Sequence, residues 1–129
     1  MTRPVLIIED DADISESLKY NFQREGLAAV TAPTGEAGLT AALNERDPPR
    51  LIILDLMMPE IIGYGVCEIV RKSPGGRDLP ILILSACSNE DVRRVGLECG
   101  ANEFLSKTIS SRELIRKINH LLHIDGVAA

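Results

Sequence analysis

The chain has 129 residues, 45% hydrophobic and 26% charged, which fits one soluble globular domain and leaves no room for a second of ordinary size. Nineteen acidic against fourteen basic side chains give a formal charge of −5, the reverse of the basic footprint that direct nucleic-acid binding requires. No apolar run approaches the ~20 residues needed to cross a bilayer, so no membrane contact is expected.

Met1-Thr2-Arg3-Pro4 leads into only four apolar residues before acid begins, too few for a secretory signal, and a cytoplasmic location is expected. Cys67, Cys87 and Cys99 show no paired or metal-ligand spacing and read as reduced thiols.

In chain order, Val5–Ile8 is a short continuous apolar run, the mark of a parallel strand buried on both faces. Asp13 and Glu16 then stand in capping-box spacing. They open a helix with Ile14, Leu18 and Phe22 on one face, stopped by Gly26. A second strand is expected over Leu27–Thr31 and a helix from Thr34 to Glu45 with Leu39, Ala42 and Leu43 inward, closed by Asp47-Pro48-Pro49.

The third strand spans residues 51–55. Met57-Met58-Pro59 and Gly63-Tyr64-Gly65 read as loop, and a helix through Val66, Ile69 and Val70 ends at Ser73-Pro74-Gly75-Gly76. Ile81–Leu84 is the fourth strand. Ser88 and Asp91 are candidate caps of a helix carrying Val92, Val95 and Cys99, terminated by Gly100. A strand at Glu103–Leu105 precedes the last helix, with Ser110 and Glu113 as its capping box and Leu114, Ile118 and Leu121 on one face. Five strand-then-helix units without repeat or linker predict an α/β fold. The expected form is a five-stranded parallel, doubly wound, flavodoxin-like sheet of order 2-1-3-4-5.

In such a sheet ligands bind beyond the carboxyl ends of the strands, where this chain places Glu9, Asp10 and Asp11, then Asp55, Ser85, and Ser106-Lys107. Carboxylates crowded there repel one another and call for a cation. Oxygen ligands favour Mg²⁺. Glu9, Asp10 and Asp55 carry three negative charges, and Mg²⁺ with Lys107 would supply three positive ones. An arriving phosphoryl group would meet a metal, an ammonium, the Ser85 hydroxyl and Asp55 as nucleophile.

Four segments carry a resemblance: VLIIEDD at 5–11, LIILDLMMP at 51–59, ILILSA at 81–86 and CGANEFLSK at 99–107. Together they are similar to the receiver domain of two-component response regulators, a single domain over residues 1–129 with its core at about 4–123. The resemblance implies that Glu9 and Asp10 bind metal, that Asp55 accepts the phosphoryl group, and that Met57 lends a backbone carbonyl to Mg²⁺, with Mn²⁺ as the alternative ion. It makes Ser85 the switch hydroxyl, Lys107 the lysine on the acyl phosphate, and Phe104 the aromatic whose rotamer follows the switch. The implied phosphodonor is a sensor histidine kinase or a histidine phosphotransfer protein. The implied output surface is the face of the fourth helix, fifth strand and fifth helix, and a homodimer is a further partner it allows. Such a domain is consumed stoichiometrically and is not an enzyme, and no output domain is expected in the chain.

Two positions depart from the family. Thr108 stands where proline usually follows the lysine across a cis peptide. A cis bond here would cost ~3–4 kcal/mol, leaving a reshaped trans loop or a strained cis one. Ile62 replaces a common aspartate.

Against these readings stand blander ones. Asp11 fits a helix N-cap, and His120 and His123 suit the C-terminal end of the last helix better than a metal. Cys87 lies near the expected phosphate position. Of the competing functions, a phosphorylation-independent interaction or dimerisation module rests on Thr108. A small-molecule phosphatase similar to haloacid dehalogenases would need an acid where Met57 stands, and a flavin carrier would be repelled by Glu9-Asp10-Asp11.

Overall fold

The computed structural model describes residues 3–56, 61–86 and 89–124. Strands β1 (Val5–Ile8), β2 (Ala29–Ala32), β3 (Leu51–Leu56), β4 (Ile81–Ser85) and β5 (Glu103–Ser106) alternate with helices α1 (Ala12–Arg24), α2 (Gly35–Ala42), α3 (Ile61–Lys72), α4 (Glu90–Glu98) and α5 (Ser111–Ile124). All strands pair in parallel, in the order β2-β1-β3-β4-β5. The fold is therefore the expected doubly wound sheet, and the strand order reverses between β1 and β3.

Side-chain alternation along the strands builds two cores. Val5, Ile7, Leu51, Ile53, Leu82 and Leu84 face α1 and α5, whose Phe22, Leu114 and Ile118 are buried against them. Leu6, Ile8, Ile52, Leu54, Ile81 and Ile83 face α2, α3 and α4. Burial on both faces explains why these strands are apolar without alternation. Both α2 and α4 approach the sheet through a glycine: a Cβ at Gly38 would strike Ile8, and one at Gly96 would lie 2.7 Å from the Phe104 ring.

Asp11 caps α1, as its reading as an N-cap expected, accepting from the N–H groups of Asp13 and Ile14, so the capping box at Asp13 and Glu16 is not the helix start. Several boundaries differ from expectation. The helix ends in a Schellman motif: the Gly26 N–H donates to the Gln23 carbonyl and the Leu27 N–H to that of Phe22, with Gly26 at φ 83°. That motif claims Leu27, so β2 starts at Ala29. Helix α2 stops at Ala42, short of Glu45, because the Asn44 carboxamide oxygen accepts from the N–H groups of Arg46 and Asp47 and turns the chain.

Residues 63–65 lie inside α3 rather than in a loop. Tyr64 packs against the core and its hydroxyl donates to the Val92 carbonyl, contacts that override the glycine cost of about 1 kcal/mol each. Asn89, not Ser88 or Asp91, caps α4, accepting from the Val92 N–H; Ser88 lies outside the described residues. Ser110 accepts from the Glu113 N–H at the start of α5, as expected.

The amino ends of β4 and β5 are tied to α3 by one side chain. The Arg71 guanidinium donates to the carbonyls of Gly100, Gly76 and Leu79 and to the Asn102 carboxamide oxygen, which also accepts from the Ile81 N–H.

Candidate functional site

Parallel register brings the acids together. Ile8 pairs with Leu54, so Glu9 stands beside Asp55 as both strands end, and Ser85 lies one residue past Leu84, the partner of Asp55. Glu9 and Asp55 are each 1% exposed, an uncommon depth for carboxylates. The Lys107 ammonium crosses the edge of the sheet to reach them. Its Nζ lies 2.8 Å from Oδ1 of Asp55 and 3.5 Å from Oε2 of Glu9. Among the described residues this ion pair is the close contact of Oδ1, which accepts no regular hydrogen bond. The Asp11 N–H donates to the other Glu9 oxygen.

Electrostatics follow from burial. Desolvation pushes the Glu9 carboxyl up to about 8, opposed by the Asp11 N–H and Lys107 and reinforced by the Asp55 charge. Burial likewise raises Asp55, although Lys107 pulls it back. For Lys107 burial disfavours the ammonium, but Asp55 and Glu9 outweigh it and hold the lysine charged above its usual range. Two buried carboxyls facing one ammonium leave the site short of positive charge. A hard divalent cation suits that deficit and its oxygen donors.

The deficit predicts a stability slope. An acid whose native pKa is about 8, against an ordinary 4.5, holds its proton in the folded state where the unfolded chain has released it. The contribution of Glu9 to stability is therefore fully present below pH 4.5 and is lost as pH rises towards 8. In chelator, urea unfolding should show Glu9→Gln closest to the parent near pH 4 and exceeding it near pH 8. A difference that stays constant with pH would refute this assignment.

The remaining candidates fall into place unevenly. Asp10 is exposed beside Glu9, and among the described residues no three acidic, histidine or cysteine side chains close on a common point. Ser85 is buried at the end of β4, and its carbonyl accepts from the Lys107 N–H. Phe104 is buried beneath α4, and Arg93 donates to its carbonyl at 3.0 Å. Met57 and Cys87 lie outside the described residues. Cys67 and Cys99 are free thiols, and burial pushes Cys67 up to about 12. His120 and His123 are exposed on α5. Among the described residues no helix is long and apolar enough to cross a membrane.

The open question at Thr108 is answered by the backbone: no peptide among the described residues is cis. The turn is closed instead by Ser106, whose hydroxyl lies 2.8 Å from that of Thr108 and accepts from the Thr108 N–H at 3.2 Å. Sequence reasoning passed over Ser106 in this role. Its signal was available in the hydroxyl residues flanking Lys107, which suit an ST turn.

Comparison with known proteins agrees with the geometry. The chain is 35% identical over 129 residues to the alkaline phosphatase synthesis transcriptional regulatory protein PhoP of Bacillus subtilis, covering all of this chain and 52% of that protein. It is 38% identical over 118 residues to the probable transcriptional regulator ycf27 of Porphyridium aerugineum, covering 92% of this chain and 47% of that one. The chain thus spans about half the length of these curated relatives. The crystal structure of a putative response regulator from Chloroflexus aurantiacus superposes with a TM-score of 0.85 at 31% identity, covering 95% of this chain and 99% of that one. The family model for the response regulator receiver domain matches from Val5 to Asn119, nearly the whole chain, which therefore belongs to that family.

Proposed function

We propose that Asp55 accepts a phosphoryl group from the phosphohistidine of a sensor histidine kinase or histidine phosphotransfer protein, and that the modified domain changes its contacts on the α4–β5–α5 face. The observation that carries this reading is the buried Asp55 Oδ1, without a hydrogen bond and 2.8 Å from the Lys107 ammonium. A carboxylate so placed is a desolvated nucleophile. An Asp55 oxygen forms the new bond to phosphorus as the bond to the donor nitrogen breaks. The departing imidazole keeps that electron pair and takes up a proton. Lys107 then faces the charge gathered on the phosphoryl oxygens, and the Ser85 hydroxyl is a further donor to them.

Glu9, Asp10 and Asp55, with the Met57 carbonyl, are the groups that would hold Mg²⁺, or Mn²⁺ in its place. The ion supplies charge neutralisation for the carboxylates and the incoming oxygens. The domain is used up in each transfer, as a switch rather than an enzyme, and we place it in the cytoplasm. The competing interaction module rests on Thr108. Against that ground stands the ion pair of Lys107 with Asp55, made with a trans peptide at Thr108.

Intact-protein mass spectrometry after incubation with a small acyl phosphate and Mg²⁺ tests the reading. One phosphoryl group should be gained, and the gain should vanish in Asp55→Asn and in chelator. A folded protein that gains nothing would leave the phosphorylation-independent module standing.

A further inference from the structure

Lys107 reaches Asp55 across one intervening strand. Asp55 lies on β3 and Lys107 follows β5, with β4 between them, a lateral span of about 9–10 Å at ordinary strand spacing. A lysine reaches roughly 6 Å from Cα to Nζ when its four-carbon stem is extended. That stem, the 2.8 Å ion pair and the Asp55 side chain together cover the span only while the β5–α5 turn holds the Lys107 Cα in place at the end of β5.

Four contacts hold it there. The Lys107 N–H donates to the Ser85 carbonyl at 3.0 Å, anchoring the turn to β4, and the Ile109 N–H donates to the Ser106 carbonyl at 3.1 Å. The other two meet at one atom. Oγ of Ser106 accepts from the Thr108 N–H and shares a hydrogen bond with the Thr108 hydroxyl. These contacts close a loop around Lys107, with the residues before and after it bound to each other. An exposed hydrogen bond between hydroxyls adds about 1 kcal/mol or less to stability, so fold maintenance is a minor role for it.

We propose that Ser106 and Thr108 are positioning residues for Lys107: their hydroxyl pair fixes the β5–α5 turn so that the ammonium lands on Asp55. The proposal rests on Asp55 being the phosphoryl acceptor. Displacements of about 1 Å remote from the reacting atoms can cost a hundredfold in rate, so losing one clamp should cost about tenfold.

The test compares initial rates of phosphoryl gain from a small acyl phosphate with Mg²⁺ in the intact chain and in Ser106→Ala, Thr108→Val and Thr108→Ser. Ser106→Ala and Thr108→Val should each be about tenfold slower, and Thr108→Ser, which keeps the hydroxyl, should restore the parent rate. Thermal midpoints should stay within ~3 °C throughout, because the bond adds little to stability. A double-mutant cycle with Lys107→Met adds a readout that a purely structural role would not move: Thr108→Val should have no further effect once the lysine is gone. Parent-like rates in Ser106→Ala and Thr108→Val would overturn the proposal, as would equal slowing by Thr108→Val with and without Lys107. If the parent chain gains no phosphoryl group at all, the acceptor reading itself fails, a result distinct from these.

Discussion

Alanine at position 71 should lower the free energy of unfolding by about 4 kcal/mol, a large share of the 5–15 kcal/mol typical of a domain. Arg71 donates to three backbone carbonyls and one carboxamide oxygen, at 2.5–2.9 Å. Charge-assisted hydrogen bonds are worth about 1.5–3 kcal/mol apiece, but those from one guanidinium are not additive, and water can reach some of the released acceptors. The acceptors belong to the turn after α3, the approach to β4 and the approach to β5, so no local rearrangement replaces the guanidinium. Arg71→Lys should recover less than half of the loss, because an ammonium cannot span diverging acceptors. Urea unfolding at fixed pH measures both. A loss below about 1 kcal/mol for the alanine variant would show that solvent satisfies these groups instead.

Lys107→Met should slow phosphoryl gain by about 10²–10³-fold, the usual cost of deleting one preorganised partner of developing negative charge. Its effect on the metal-free domain has the opposite emphasis. Without the ammonium, burial is less opposed at Glu9 and Asp55, so both carboxyls rise further and the native state holds their protons to higher pH. The variant should therefore lose more stability near pH 8 than near pH 5, relative to the parent. Initial rates by intact mass and unfolding curves at the two pH values separate these effects. A rate within threefold of the parent would remove Lys107 from the reaction.

Much of the fold is legible in the residues because double burial leaves a plain mark. Val5–Ile8, Leu51–Leu54 and Ile81–Leu84 have no polar residue, and each proves to be a central strand. Edge strand β2 is harder to place: Val30 is 41% exposed, and Leu27 is buried in the cap of α1 rather than in the strand. Gly63 and Gly65 suggest a loop on local preference, yet Tyr64 docks on α4 and the helix runs through them. Tertiary contact decides there, and sequence spacing does not report it. At the site, the positions of Glu9, Asp55 and Lys107 follow from strand ends alone. How far a lysine reaches, and which hydroxyls steady it, depends on a turn whose residues fit several conformations.

The glycine seats beneath α2 and α4 have a mechanical consequence. With no Cβ at position 96, the Phe104 ring fills the gap between helix and sheet, as Ile8 does beneath Gly38. Ile83 lies beside the ring under Gly96, so neither seat leaves spare room. A helix resting directly on a side chain rides on it, so a change of rotamer below becomes a displacement above. A new rotamer of Phe104 would thus reach the outer surface as displaced volume, without any charged group having to cross the core.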